Sequence, residues 1–201
     1  MRDDNSFIYS GDGTSGVYIY GAMLEEGSYA TSYIPTNGAI ATRLADACTD
    51  AGTSDTFNSS EGVLMAEISA LADDLTDRTI ALSDGTTSNT VRIEYLSVSN
   101  AIWAVVTNTS TGGNQAILQY TYPDITINNK VAIKYKENDF SLYVNGIKVA
   151  TDTSGVTFSA NTLNTLNFNR SNNDRDFYGN VKQIQYFDTA LTDEELQALT
   201  S

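Results

Sequence analysis

The chain of 201 residues carries 25 acidic and 11 basic side chains, a net charge of −14, one cysteine and no histidine. Such a balance repels nucleic-acid phosphates rather than neutralising them, and the missing histidine removes Ser-His-Asp and Cys-His catalysis and histidine zinc sites. No twenty-residue apolar run can span a membrane, Met1-Arg2-Asp3-Asp4-Asn5 lacks the apolar centre of a secretory leader, and Cys48 alone cannot close an internal disulfide.

Residues 1–36 form an N-terminal attachment segment in which Val17-Tyr18-Ile19-Tyr20 is the predicted strand. A lone strand cannot bury both faces, so this one is expected to add to the body, to a sister subunit or to another protein. Residues 37–60, rich in Ala, Thr, Asp, Gly and Ser, read as a connector laid over the body.

The body occupies residues 61–201. Period-2 alternation and turn signals predict strands over residues 62–71, 78–83, 90–97, 101–107, 115–120, 131–136, 140–145, 147–152, 165–169 and 179–187. Asp84-Gly85, Thr111-Gly112-Gly113-Asn114 and Asn128-Asn129 mark turns between them. In Lys130-Val131-Ala132-Ile133-Lys134-Tyr135-Lys136 alternation sends Val131, Ile133 and Tyr135 to one face and the lysines to the other. Asn145-Gly146 suits a two-residue hairpin loop, because both central positions need positive φ. After the last strand, Thr192 and Glu195 have the spacing of a reciprocal capping box, so a short helix is expected with Leu191, Leu196 and Leu199 packed on the body.

Catalysis by carboxylates needs two of them flanking the scissile bond. Glu61 and Glu67 stand six apart with core residues between, and Glu94 stands alone, so the sequence offers no catalytic residue. The loop Asn167-Phe168-Asn169-Arg170-Ser171-Asn172-Asn173-Asp174-Arg175-Asp176 is rich in oxygen ligands; it reads either as a solvated turn held by Arg–Asp pairs or as a calcium site joined by Asp139 or Asp152. Glycan binding asks for an aromatic face to stack on the sugar and amide or charged groups for its hydroxyls. Trp103, Tyr122, Tyr143, Asn169, Arg170, Asp174 and Arg175 are the candidates, with core packing the competing role for each aromatic. Tyr143 alternates away from Leu142 and Val144 and so is expected to face outward.

The hairpin Val131-Ala132-Ile133-Lys134-Tyr135 with Phe140-Ser141-Leu142-Tyr143-Val144-Asn145-Gly146, and the terminal run from Phe177 to Leu199, resemble the concanavalin A-like, laminin-G-like lectin and glucanase jelly rolls. The resemblance covers about residues 60 to 200. It implies an all-β, two-sheet antiparallel jelly-roll sandwich with a short C-terminal helix, preceded by a β-containing attachment segment. At the front, Gly21-Ala22-Met23-Leu24-Glu25-Glu26-Gly27-Ser28-Tyr29-Ala30-Thr31-Ser32-Tyr33-Ile34-Pro35-Thr36 resembles the segment that closes a carbohydrate-binding-type jelly roll in phage tail and virion proteins and in bacterial surface proteins. With fewer than twenty residues before it, a complete first jelly roll is not expected. Together the resemblances imply a non-enzymatic virion or tail protein that binds bacterial surface carbohydrate, reaches the outside by lysis, and docks on other virion proteins or on sister copies through its front segment, with a homo-oligomer as one such arrangement. The alternatives are a structural virion protein without a glycan ligand and a bacterial carbohydrate-binding module or glycoside-active enzyme.

Overall fold

Alternation of buried and outward residues builds two five-stranded antiparallel sheets face to face. The computed structural model describes residues 12–14, 16, 18–25, 32–42, 51–172 and 174–201. In chain order the strands are β1 (Glu61–Ala70), β2 (Arg78–Ser83), β3 (Asn89–Tyr95), β4 (Ala101–Asn108), β5 (Gly113–Thr121), β6 (Asn129–Lys136), β7 (Phe140–Val144), β8 (Ile147–Asp152), β9 (Thr165–Asn167) and β10 (Gly179–Phe187), followed by helix α1 (Asp193–Thr200). The first sheet has the order β10-β1-β6-β7-β8 and the second β5-β4-β3-β2-β9. The jelly-roll sandwich expected from the sequence is therefore the fold, and each predicted strand of the body lies within two residues of its observed bounds.

Between the sheets lies a core of inward residues: Leu64, Ala66 and Ile68 of β1, Val131, Ile133 and Tyr135 of β6, and Leu142 and Val144 of β7 meet Ile80, Leu82, Val91, Ile93, Ile102 and Val106 of the second sheet. Burying one large aliphatic side chain contributes roughly 1.5–3 kcal/mol, so this layer is the main support of the fold. Arg78 closes one end of it, 1% exposed and 2.6 Å from Asp74. At another margin the Tyr135 hydroxyl donates to the Asn58 carbonyl at 2.6 Å, and the Asn58 amide donates to the Tyr186 hydroxyl at 2.7 Å. Phe57, assigned to the connector from the sequence, packs into this core edge-on to Tyr186. The turn at Asn145 and Gly146 has φ of 48° and 79°, the positive pair its hairpin requires.

On the outer face of the first sheet, Val63, Met65, Ala132 and Tyr143 form a second apolar cluster with Leu196, and Leu191, Leu199 and Phe187 pack against it. Helix α1 thus seals this face. Its N-terminus carries the full capping box: Thr192 Oγ1 accepts from the Glu195 amide, and the Thr192 amide donates to the Glu195 carboxylate.

The chain divides into two units, Met1–Arg43 and Leu44–Ser201. In the first unit the strand expected over 17–20 is not formed: Tyr18, Ile19 and Tyr20 belong to no ladder among the described residues, and Val17 lies outside them. The reason is the one that makes any single strand marginal, since all three side chains are almost fully exposed and no described strand takes their amides. The rings of Tyr20 and Tyr33 lie 5.8 Å apart. Cys48 and the Arg43–Asp46 stretch of the connector lie outside the described residues.

Candidate functional site

The outer face of the second sheet is set by the residues that alternate against the core. β4 turns out Trp103, Val105 and Thr107; β3 turns out Thr90, Arg92 and Glu94; β5 turns out Ile117 and Gln119. The register places Trp103 between Glu94 and Gln119, and Val105 between Arg92 and Ile117. Adjacent strands lie about 4.8 Å apart, so these six side chains form two neighbouring rows across three strands.

The floor of this face is buried yet charged. Arg92 and Glu94 are 4% and 2% exposed, and Arg92 Nε lies 3.0 Å from Glu94 Oε1. Thr79 Oγ1 donates to the same carboxylate oxygen at 3.2 Å, and Arg92 Nη1 donates to the hydroxyls of Thr90 and Thr107 at 2.6 and 2.7 Å. Burial lowers the pKa of the Arg92 guanidinium, Glu94 opposes that shift, and the nearby charges of Arg170 and Arg175 add to it. Trp103 is half-buried beside this floor, while Ile117 and Gln119 are exposed.

Residues 168–178 form the other flank. The loop returns to the sheet because Phe177 packs in the core and its amide donates to the Phe168 carbonyl at 2.8 Å, while the Arg175 carbonyl accepts from the Thr79 amide at 2.9 Å. Ser171 and Arg175 take positive φ of 68° and 58°, which turns the chain back within ten residues. Arg175 reaches Asp77 at 3.1 Å, Glu94 at 3.3 Å and Asp174 at 3.9 Å. Arg170 donates its amide to the Asp174 carbonyl at 2.9 Å, but its guanidinium has no carboxylate within ion-pair distance among the described residues, and its Nε is buried without a hydrogen bond.

Of the sequence candidates, Trp103 and Arg175 stand on this face, Arg175 through its ion pair with Glu94, while Asp174 is exposed and Asn169 is turned to the Ser171 amide at 2.7 Å. Two tyrosines do not. Tyr143 alternates outward as expected, but on the first sheet, where it is fully buried beneath α1 and its hydroxyl donates to Asp193 at 2.7 Å. Burial and the Asp193 charge raise its pKa. Tyr122 packs against the core and its hydroxyl accepts from Asn145 Nδ2 at 2.8 Å, so its ring is a wall of the sandwich rather than a sugar platform. Arg92, Ile117 and Gln119 were missed. The signal for Arg92 was present in Val91-Arg92-Ile93-Glu94-Tyr95, where two opposite charges two apart interrupt an apolar strand on one face.

The described residues contain no group of three or more acidic, histidine or cysteine side chains arranged to hold a metal ion. Asp139 pairs with Lys134 at 2.8 Å and the Asp152 carboxylate accepts from the Ser154 amide at 3.0 Å, so both acids suggested for a calcium loop are engaged locally. A cleft of about 400 Å³ elsewhere is lined by Asn89, Asn108, Ser110, Thr111 and Glu137, but its aromatic, Phe158, is 6% exposed and offers no stacking face. No helix among the described residues is long and apolar enough to cross a membrane.

Among solved structures the chain is similar to the CBM40 of the Ruminococcus gnavus IT-sialidase bound to α2,3-sialyllactose, with a TM-score of 0.58 and 17% identity over 71% of this chain and 83% of that one. It is similar to the NanB sialidase of Streptococcus pneumoniae, with a TM-score of 0.58 and 16% identity over 72% of this chain but 24% of that one. The SAP-like pentraxin of Limulus polyphemus follows with a TM-score of 0.54 and 10% identity over 70% of each chain. At such identities the likeness is one of fold. No curated protein matches the chain. A family profile matches residues 56–197, from the turn before β1 into α1, and by that match the chain belongs to the concanavalin A-like lectin/glucanases superfamily.

Proposed function

We propose that this protein is a non-catalytic glycan-binding module whose binding surface is the outer face of the second sheet around Trp103. The observation that carries the reading is the half-buried indole set between the exposed Gln119 and the buried Glu94–Arg92 pair. An indole standing on a polar floor offers a sugar both a stacking surface and hydroxyl partners. Support comes from the fold shared with a sialidase carbohydrate-binding module bound to sialyllactose. The acids weighed for hydrolysis serve as ion-pair partners: Glu61 of Lys136, Glu67 of Lys182, and Glu94 of two arginines.

We further propose that the protein sits on a phage particle, held there by its front segment, which presents Tyr18, Ile19, Tyr20 and Leu24 to solvent. Its ligand is then bacterial surface carbohydrate. Deleting residues 1–36 should leave the sandwich folded and abolish incorporation into particles; normal incorporation of the deletion would reject the anchoring role.

The glycan reading is tested on an array of bacterial surface and algal polysaccharides with wild type and Trp103→Ala. Binding by wild type, loss of at least about tenfold in the variant, and no release of reducing sugar are expected. Unchanged binding by Trp103→Ala overturns the site, and release of reducing sugar overturns the non-catalytic assignment.

A further inference from the structure

The chain contains two Asn-Gly dipeptides, and the structure holds them differently. Asn145 and Gly146 are half-buried and fully engaged. Asn145 Nδ2 donates to the Tyr122 hydroxyl at 2.8 Å and to Asn129 Oδ1 at 2.9 Å, and Asn145 Oδ1 accepts from the Lys130 amide at 2.9 Å. The Gly146 amide donates to Thr200 Oγ1 at 3.1 Å. Asn37 and Gly38 are the centre of an exposed turn, with φ of 47° and 85° and the Ala39 amide donating to the Thr36 carbonyl at 2.9 Å. That bond leaves the Gly38 amide out of the turn. Beyond its chain neighbours nothing lies within 4 Å of where a Gly38 Cβ would stand. Neither the Asn37 side chain nor the Gly38 amide has a hydrogen bond among the described residues.

We propose that Asn37 is a self-modification site, at which the chain converts its own asparagine to aspartate and isoaspartate. The Gly38 nitrogen, after losing its proton to base in the solvent, attacks Asn37 Cγ. The N–Cγ bond forms, the Cγ–Nδ2 bond breaks, and Nδ2 leaves as ammonia. The five-membered imide then takes up one water at either of its carbonyls, so one amide and one water become one carboxylic acid and ammonia, with nothing oxidised or reduced. Glycine suits the second position because no side chain crowds the attacking nitrogen. Attack within one chain requires the two atoms to be brought together, which the unrestrained Asn37 side chain can do and the triply hydrogen-bonded Asn145 side chain cannot. Opening to isoaspartate lengthens the main chain by one methylene, and either product adds a negative charge to a chain already at −14. Residue 37 begins the connector, so the change falls between the front segment and the sandwich and leaves the core untouched.

The test is incubation of the full chain in mildly alkaline buffer, folded and in urea, followed by peptide mapping in the mass spectrometer, ammonia release and labelling with an isoaspartyl methyltransferase. In the folded chain Asn37 should convert at least about tenfold faster than Asn145, and in urea the two rates should approach each other. Conversion at Asn37 should quicken as the pH rises, because the attacking nitrogen must first lose its proton. Asn37→Gln, whose longer side chain would have to close a larger ring, should remove the label from that peptide, and Gly38→Ala should slow its appearance. Equal rates for the two asparagines in the folded chain, or an Asn37 that converts in urea but not when folded, overturns the proposal. An Asn37→Gln chain that releases ammonia and takes up label as fast as wild type does the same. The melting temperature of the sandwich should stay unchanged throughout, and a fall in step with conversion overturns the confinement of the change to the connector.

Discussion

Arg175 Nη1 lies 3.3 Å from Glu94 Oε1, an oxygen already 3.0 Å from Arg92 Nε, so one buried carboxylate holds both the sheet arginine and the loop that crosses it. Glu94 is the keystone of the candidate site. Replacing it with alanine leaves Arg92 buried and unpaired, for which a loss of about 3–5 kcal/mol is expected in urea unfolding. The double variant Arg92→Met/Glu94→Leu should regain most of that stability while losing glycan binding. A single Glu94→Ala variant as stable as wild type would show that the pair carries no such burden.

Stability should fall at both ends of the pH scale. The Asp193 carboxyl is held below its ordinary 3.8 by Lys148 first and Tyr143 second, and Glu61 is held below 4.5 by Lys136 and the Ala190 amide. Groups with depressed folded values stabilise above their ordinary values and lose that contribution as pH falls through the folded ones. Tyr95, Tyr135, Tyr143 and Tyr186 are raised above 10.0, chiefly by burial. Their contribution is complete below about pH 10 and is lost as the pH climbs, because only the unfolded phenols ionise readily. Urea midpoints should therefore be flat between about pH 5 and 9 and decline outside that window. Asp193→Asn should shrink the acid limb, and an acid limb of unchanged depth in that variant would refute the assignment.

Gly62 sits where β1 passes between β6 and β10. A Cβ added there meets the Phe187 carbonyl and the Tyr135 hydroxyl at 2.7 Å each. The carbonyl belongs to the ladder and cannot rotate away. Gly62→Ala should cost about 1–3 kcal/mol, read as a lowered melting temperature. Unchanged stability would mean the strand edge yields more easily than its hydrogen bonds imply.

Removal of divalent cations tests the calcium alternative for the loop over residues 167–176. Since Arg175 holds it through Asp77 and Glu94, EDTA should leave the melting temperature and glycan binding unchanged. A fall in either on chelation, reversed by calcium, would establish a metal site.

Local chemistry made the sandwich body legible in the sequence. Period-2 runs such as 131–136, the Asn145-Gly146 turn and the Thr192–Glu195 capping box each depend on neighbours within four residues, and each is realised as read. The front strand failed by the same logic in reverse, since Tyr18, Ile19 and Tyr20 have the composition of a strand but no ladder partner among the described residues. Alternation also sent Tyr143 to the outside of its sheet correctly, but could not foresee that α1, fifty residues later, would lie over it.

Covalent neighbours were enough to place the strands of the body and to say which residues point together along each one. Which outward sheet face α1 covers was decided by packing across the whole body. Packing also set Arg175 against Glu94, 81 residues away along the chain, since which strands lie side by side follows from the whole core rather than from any local run.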